Sequence, residues 1–406
     1  MLHPATLYGV PRFEPFPALR YAIGNDPDIT PVTSPPYDVF DETVRASYAA
    51  RDAHNIVLLD YPLESDGATR YEACANTLNE WITRGVLTTD DQPSFSIYRM
   101  TFTDEAGHTR TTIGVIGALE VVDEGAGGVL PHEKTTPKAK TDRLDLTRTT
   151  RTNLSPVWGL SLSAGLTDLL REEAEVIATC TDEEGVYHQV ERVTDPVRVR
   201  AISDSVASQP VLIADGHHRY AISRTYRDEQ RQQTGSPDAE LTMTYVGEMI
   251  EEQLSVAAIH RLYKNITPEA LIAALAPHYD TSDAGTVSGN TISHMATHSV
   301  LCVVHPDGTG TYLHPKEDTF TGIRALDSAR LEHALANTPH DVSYQHGVTD
   351  VLHRLTQGEA NCAILIRPVS LEEIRRTADT GELMPPKSTF FTPKLRTGLV
   401  MRRLRD

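Results

Sequence analysis

The sequence has 406 residues and a formal net charge of −19, with 39% hydrophobic and 23% charged residues. That length predicts two domains, with apolar residues enough for a large core built without disulfides or metals. The acidic balance argues against general nucleic-acid binding, which needs a basic footprint. No apolar run reaches the length of a membrane helix, and Met1 to Pro15 lacks the basic and apolar parts of a secretion signal. Cys74, Cys180, Cys302 and Cys362 are far apart and read as buried thiols of a cytoplasmic protein.

Pro11 to Pro36 is dense in proline and reads as ordered loop and extended chain. His54 to Tyr61 reads as a buried strand. Tyr71 to Ile82 carries apolar residues at helical spacing and ends at Gly85. Ser94 to Thr103 and Thr111 to Val122 read as strands of one sheet, turning at Ala106-Gly107. Leu166 to Ala178 reads as a helix, Val186 to Val193 as a strand, and Val197 to Ala207 as a helix. Val211 to Ala214 is a short buried strand, followed by a helix from His217 to Gln232. Strands are expected at Leu241 to Met249 and Leu254 to Leu262, and a helix at Thr267 to Pro277. Ser299 to Leu313 reads as a hairpin turning at Asp307-Gly308. Helices at Leu326 to Ala336 and Thr349 to Thr356 and a strand at Ala363 to Arg367 come next. Ser370 with Glu373 is a capping signature for a helix that stops at Gly381. Helices and strands do not strictly alternate, so the fold class is α+β, with mixed sheets and packed helices. A domain boundary is expected at Ala164-Gly165, dividing residues 1–164 from 165–406.

Two segments concentrate polar chemistry. His132 to Arg151 carries six Lys or Arg against three acids, in a chain whose net charge is −19. Threonines are interleaved with these charges, and few apolar residues are present. Such a loop suits a ligand with several phosphate oxygens, although a charge run also reads as solvated surface. The chain uses 30 Arg but only 7 Lys, and Lys134, Lys138 and Lys140 fall in this one segment. Lys387 and Lys394 form a second group, beside the hydroxyls and aromatics of Met384 to Lys394. The second segment is Asp215-Gly216-His217-His218-Arg219-Tyr220, a junction from strand to helix. Free backbone N–H groups at a helix start favour an anion, and glycine allows close approach. Adjacent histidines do not share a helix face, so they read as hydrogen-bonding or acid–base groups and not as ligands of one metal. Ser34 to Val39 reads as a rigid turn that could place Tyr37 and Asp38 at a cleft. No standard P-loop, dinucleotide fingerprint or hydrolase elbow is present.

Taken in order, Ser34 to Val39, His132 to Thr135, Lys138 with Asp142-Arg143, Thr152 to Pro156, Asp215 to Tyr220 and Met384 to Leu399 resemble domain-of-unknown-function family 1015. Pro131-His132-Glu133 followed by Asp215 to Arg219 is similar, more distantly, to free serine kinases of the ParB/sulfiredoxin-like fold. That resemblance implies a ParB-like core with N-terminal and C-terminal extensions. It implies a nucleotide-dependent kinase of free serine or a related hydroxylated metabolite. Glu133 would be the base, with His132 and Asp215 catalytic beside it. Lys134, Thr135, Lys138, Arg143, Gly216, His217, His218, Arg219 and Lys387 would hold phosphates. Tyr37, Asp38, Asn153 and Ser155 are expected to touch the substrate. ATP or ADP would donate the phosphoryl group, and Asp215 would hold Mg²⁺. A nucleotide-binding switch without catalysis and a phosphatase of a phosphorylated amino acid are the alternatives. The expected partners are small molecules, not nucleic acid or membrane, and the oligomeric state stays open.

Overall fold

The computed structural model describes residues 9–24, 26–103, 108–132, 140–233, 235–385 and 387–405. The chain forms two compact units, one from residues up to Leu254 together with Pro393 onward, the other Ser255–Thr392. The division therefore does not fall at Ala164-Gly165. Gly165 sits inside the first unit as a left-handed turn residue before a helix, and Glu248 accepts its N–H at 2.8 Å. Both units are mixtures of helices and sheets, as the pattern predicts.

The first unit is built on a nine-stranded sheet. Its strands are β1 (Phe13–Glu14), β2 (Phe95–Thr103), β3 (Thr109–Glu120), β4 (Val129–Pro131), β5 (Val157–Ser161), β6 (Glu175–Thr181), β7 (Tyr187–Val193), β8 (Val211–Asp215) and β9 (Leu241–Glu248). The order across the sheet is β4-β8-β5-β9-β3-β2-β7-β6, with β1 added to β3. Pairings are antiparallel except β4 with β8 and β5 with β9. Its helices are α1 (Glu42–Ala49), α2 (Val57–Asp60), α3 (Arg70–Thr83), α4 (Lys140–Thr150), α5 (Leu166–Arg171), α6 (Pro196–Val206) and α7 (His217–Gln233).

Three elements differ from their sequence expectation. His54 to Tyr61 contains the short helix α2 instead of a strand. Asn55 Oδ1 accepts the Val57 N–H at 3.0 Å and starts the turn. A short, fully buried apolar run carries no period that separates helix from strand. The helix expected through Ala178 stops at Arg171, and β-branched residues from Val176 onward join the sheet as β6 instead. The polar chain after Lys140 is the helix α4, not a loop. Its Leu144 and Leu146 are buried, and Leu144 packs with Ile222 and Tyr226 of α7. Neighbours order it, which its own composition could not reveal. The turn at Ala106-Gly107 lies outside the described residues, but β2 and β3 pair as expected.

The second unit is a six-stranded antiparallel sheet. Its strands are β10 (His260–Lys264), β11 (Tyr279–Thr286), β12 (Leu301–Val304), β13 (Thr309–Pro315), β14 (Asp341–Gln345) and β15 (Cys362–Leu365). Side chains alternate across it: Leu301 and Val303 enter one core, Cys302 and Val304 the other. α8 (Pro268–Leu275) and α10 (Asp327–Ala334) cover the first face, α9 (Gly289–His298) and α11 (Val348–Thr356) the second. α12 (Leu371–Thr380) ends at left-handed Gly381, and Ser370 accepts the Glu373 N–H at 3.3 Å. The four cysteines are buried and unbridged. Among the described residues no helix is long and apolar enough to cross a membrane.

Packing in the first unit fixes a testable position. Phe13 and Phe95 stack with ring centroids 5.1 Å apart, directly over Gly117. A Cβ there would lie 2.4 Å from Phe13 and 2.6 Å from Phe95. Gly117→Ala should cost about 1–3 kcal/mol, read as a lower denaturant midpoint with unchanged slope. An unshifted midpoint would show that the rings move aside without strain.

Candidate functional site

Parallel pairing places the ends of β4 and β8 together. Ile213 lies opposite Pro131, so His132 and the junction Asp215-Gly216 emerge from the same end of the sheet. β5 runs antiparallel to β8 and begins there, and β9, parallel to β5, begins there too. Thr152 to Val157 and Thr242 therefore face the start of α7. Arg143 comes from α4, and Tyr37 and Asp60 come from the N-terminal chain.

These elements enclose a cavity of about 50 Å³ whose charged walls are Asp60, Arg143 and Arg219. Tyr37, Asn153, Thr147, Thr152, Ser155, Ser223 and Thr242 are the other polar residues of the lining, and Leu146, Leu154, Val157 and Ile222 are its apolar part. Asp60 is 3% exposed. Its Oδ1 lies 3.3 Å from an Arg143 guanidinium nitrogen, and its backbone carbonyl accepts from the same nitrogen. Its Oδ2 is buried and has no hydrogen-bond partner. Burial lifts the Asp60 carboxyl to about 6 against the pull of Arg143 and Arg219. The Arg143 guanidinium also lies 3.6 Å from the centroid of the Tyr37 ring, a cation–π contact. Burial pushes the Tyr37 hydroxyl up to about 12, so it stays protonated. Arg219 donates to the Pro156 carbonyl, while its Nε is buried with no acceptor. Asp38 is exposed, but its charge acts on both Asp60 and Arg219.

The strand–helix junction is wired differently from its sequence reading. Gly216 has φ +83°, and a Cβ there would sit 3.1 Å from the Arg219 guanidinium. The Gly216 N–H is taken by Asp215 Oδ1 at 2.7 Å. Asp215 Oδ2 accepts from Lys394 at 2.8 Å. Burial raises the Asp215 carboxyl, but Lys394 and Arg219 outweigh it and hold it well below the carboxylate range. A carboxylate already saturated by an ammonium does not fit a magnesium ligand. Among the described residues no group of three His, Cys, Asp or Glu could hold a metal. Lys394, from the C-terminal stretch, reaches this junction. Lys387 belongs to the second unit.

His132 is fully buried, with its ring centroid 4.7 Å from that of His217. Its Nδ1 faces the Ile213 carbonyl, which can only accept, so Nδ1 carries the proton. The His132 N–H points to His217 Nε2 at 3.5 Å. Burial lowers His132 to about 4, and burial together with His132 lowers His217. Both rings are neutral at neutral pH, leaving Arg219 as the full charge on this turn that faces the cavity. His218 lies on the same first turn of α7. Asn153 Oδ1 accepts the Met243 N–H at 3.1 Å. Glu133, Lys134, Thr135 and Lys138 lie outside the described residues.

Sequence reasoning did not find Asp60 or place Lys394. Asp60 was hidden inside an apolar run read as a strand, where it had no distinguishing signal. Lys394 stood out only as one of few lysines.

The architecture is thus an α+β unit with a small, charged cleft at the converging ends of β4, β8, β5 and β9. The chain belongs to the family described as "Protein of unknown function (DUF1015)", whose model matches residues 13–329. Comparison with curated proteins gave no match. Among solved structures, a conserved hypothetical protein from Pyrococcus furiosus is similar at 14% identity and a TM-score of 0.35, over 65% of this chain and 87% of that one. A free serine kinase in complex with AMP is similar at 13% identity and a TM-score of 0.36, over 65% and 83%. A C-terminally truncated SbnI from Staphylococcus aureus is similar at 13% identity and a TM-score of 0.37, over 69% and 84%.

The buried His132 makes a pH prediction. The folded ring resists protonation down to about pH 4, whereas the ordinary histidine value is 6.5. Between those values the unfolded chain binds the extra proton, so acid favours unfolding by at most about 1.4 kcal/mol per pH unit. Asp60, raised from 3.8 to about 6, works in the opposite direction. Comparing parent and His132→Asn isolates the histidine. The parent should lose more stability than the variant from pH 6.5 to 4 in denaturant titrations. Parallel curves would contradict a neutral, buried His132.

Proposed function

We propose that this protein is a small-molecule phosphotransferase, a nucleotide-dependent kinase whose acceptor is free serine or a related hydroxylated metabolite. The observation that carries the reading is the cleft itself. Two guanidinium groups stand in a cleft of mixed polar and apolar lining, and the Arg219 Nε is enclosed without an acceptor. Phosphoryl transfer needs positioning and charge neutralisation more than covalent help. Arg143 and Arg219 supply fixed positive charge beside the acceptor.

The sequence resemblance to free serine kinases supports the finer assignment and a ParB-like core. On that basis Glu133 is the base that takes the acceptor's hydroxyl proton. His132, held neutral beside Glu133 in sequence, takes part as a hydrogen-bonding group. Lys134, Thr135, Lys138 and His218 approach the donor's phosphates. Asp215 is assigned a positioning role: with Lys394 it fixes the turn that presents Arg219.

Phosphorus NMR tests the proposal. The protein is incubated with ATP, ADP or CTP, magnesium and L-serine, and in a second sample with phosphoserine alone. Transfer to the serine hydroxyl is expected. Nucleotide that binds without turnover would replace the kinase by a switch, and phosphate released from phosphoserine alone would replace it by a phosphatase. Glu133→Gln should lower turnover about 10²–10⁴-fold while leaving nucleotide affinity within about twofold, because an amide accepts no proton. Undiminished turnover would remove Glu133 as the base.

A further inference from the structure

Three buried polar atoms of the cleft residues lack a hydrogen bond: Asp60 Oδ2, Arg143 Nε and Arg219 Nε. Arg143 Nε faces the Asp142 carboxylate at 3.3 Å, which leaves two of opposite kind. Asp60 Oδ2 needs a donor, and Arg219 Nε needs an acceptor. Both residues line the same cavity, and each acts electrostatically on the other. Leaving such atoms unsatisfied costs about 1–3 kcal/mol each, and more for charged groups. The other Asp60 oxygen is occupied by Arg143. We infer that Asp60 and Arg219 form a bipolar subsite that takes a small hydroxylated amino acid, its ammonium on Asp60 and its carboxylate on Arg219. That this amino acid is the phosphoryl acceptor rests on the phosphotransferase reading, but its binding does not.

Size and charge both point to this class. A water needs about 10–15 Å³ of such volume, so the cavity of about 50 Å³ holds three to five water-sized positions. A molecule as small as serine matches that space. A phosphate group would satisfy Arg219 but would leave Asp60 Oδ2 without a donor. A zwitterion satisfies both poles at once. Its hydroxyl then remains available to the Thr and Ser lining and to phosphoryl transfer.

The groups facing Asp60 are Arg143 and Asp142 from α4, Arg219 from α7, Tyr37 and Asp38 from the preceding loop, and Cys74 from α3. An ammonium requires the ionised carboxylate, so serine affinity should fall by up to tenfold per pH unit below about pH 6. A ligand without an ammonium should not show this fall.

Calorimetric titration of the full chain without nucleotide tests the subsite. The probes are L-serine, D-glycerate, which lacks the ammonium, ethanolamine, which lacks the carboxylate, and inorganic phosphate. Serine should bind more tightly than any of the other three. Asp60→Asn should weaken serine at least tenfold and glycerate less than twofold. Arg219→Gln should weaken serine and glycerate but not ethanolamine. Equal serine affinity in parent and Asp60→Asn, or phosphate binding in preference to serine, overturns the inference. If Asp60→Asn does not fold, the parent's pH profile decides, and a serine affinity flat from pH 7 to 5 overturns it. Serine binding without any phosphoryl transfer would refute the kinase reading alone. Transfer to serine with an unchanged KM in Asp60→Asn would refute the subsite alone.

Discussion

The parallel ladder between β4 and β8 is the constraint on which the site depends. A parallel pair cannot be joined by a tight turn, so the chain must leave both strands at the same end and travel far before returning. Here that shared end holds Pro131-His132 and Asp215-Gly216. The excursion after His132 carries α4, β5, α5, β6, β7 and α6 before β8 forms. The antiparallel insertion of β5 between β8 and β9 brings two strand beginnings to the same place. Chemistry collects there because strand ends release backbone and side chains that the ladder would otherwise fix. The His132–His217 contact is the direct consequence of the register Ile213↔Pro131.

Charge in the cleft is arranged by competition and not by accumulation. Arg143 is shared between Asp60, Asp142 and the face of Tyr37. Arg219 is held by the Pro156 carbonyl with Asp215 at 3.9 Å. Each guanidinium is thereby fixed in place and only partly neutralised. Lys394 does the complementary task at Asp215, where an ammonium saturates the carboxylate that otherwise would draw Arg219 away from the cavity. The compact ammonium suits a single oxygen, while the planar guanidinium suits several partners in a fan. This division explains, in physical terms, why a chain rich in Arg keeps a Lys at this position.

Residues that announced themselves in the sequence did so through local chemistry. Gly216 followed a short apolar run and opened a polar helix, which is legible because the turn demands a left-handed residue. Arg143 and Arg219 were legible as cations beside hydroxyls. Asp60 was not, because burial in a helix and burial in a strand leave the same apolar spelling over four or five residues. α4 was misread for a related reason: Leu144 and Leu146 are two apolar residues among charges, and their burial depends on α7 and α3 being in place. The same limit moved the domain division. Gly165 has the mark of a boundary, yet Glu248, a distant residue in sequence, caps the turn there and keeps it inside the unit. Tertiary partners decided each of these, and no local pattern encodes them.

The C-terminal segment gives the architecture its final dependence. The chain leaves the first unit at Leu254, builds the second, and returns at Pro393. The returning residues are not an appendage. Ser34 and Thr397 exchange backbone hydrogen bonds, as do Leu19 and Met401, and Arg402 pairs with Asn153 in register. Arg396 is buried against Glu183 and Thr33, and Leu404 packs with Leu144 of α4. These contacts join positions separated by more than 200 residues, the kind of pairing that is slow to form because loop closure precedes any gain. The segment that closes the first unit's core also carries Lys394 to Asp215. The same return of the chain therefore supplies Asp215 with its ammonium and α4 with Leu404.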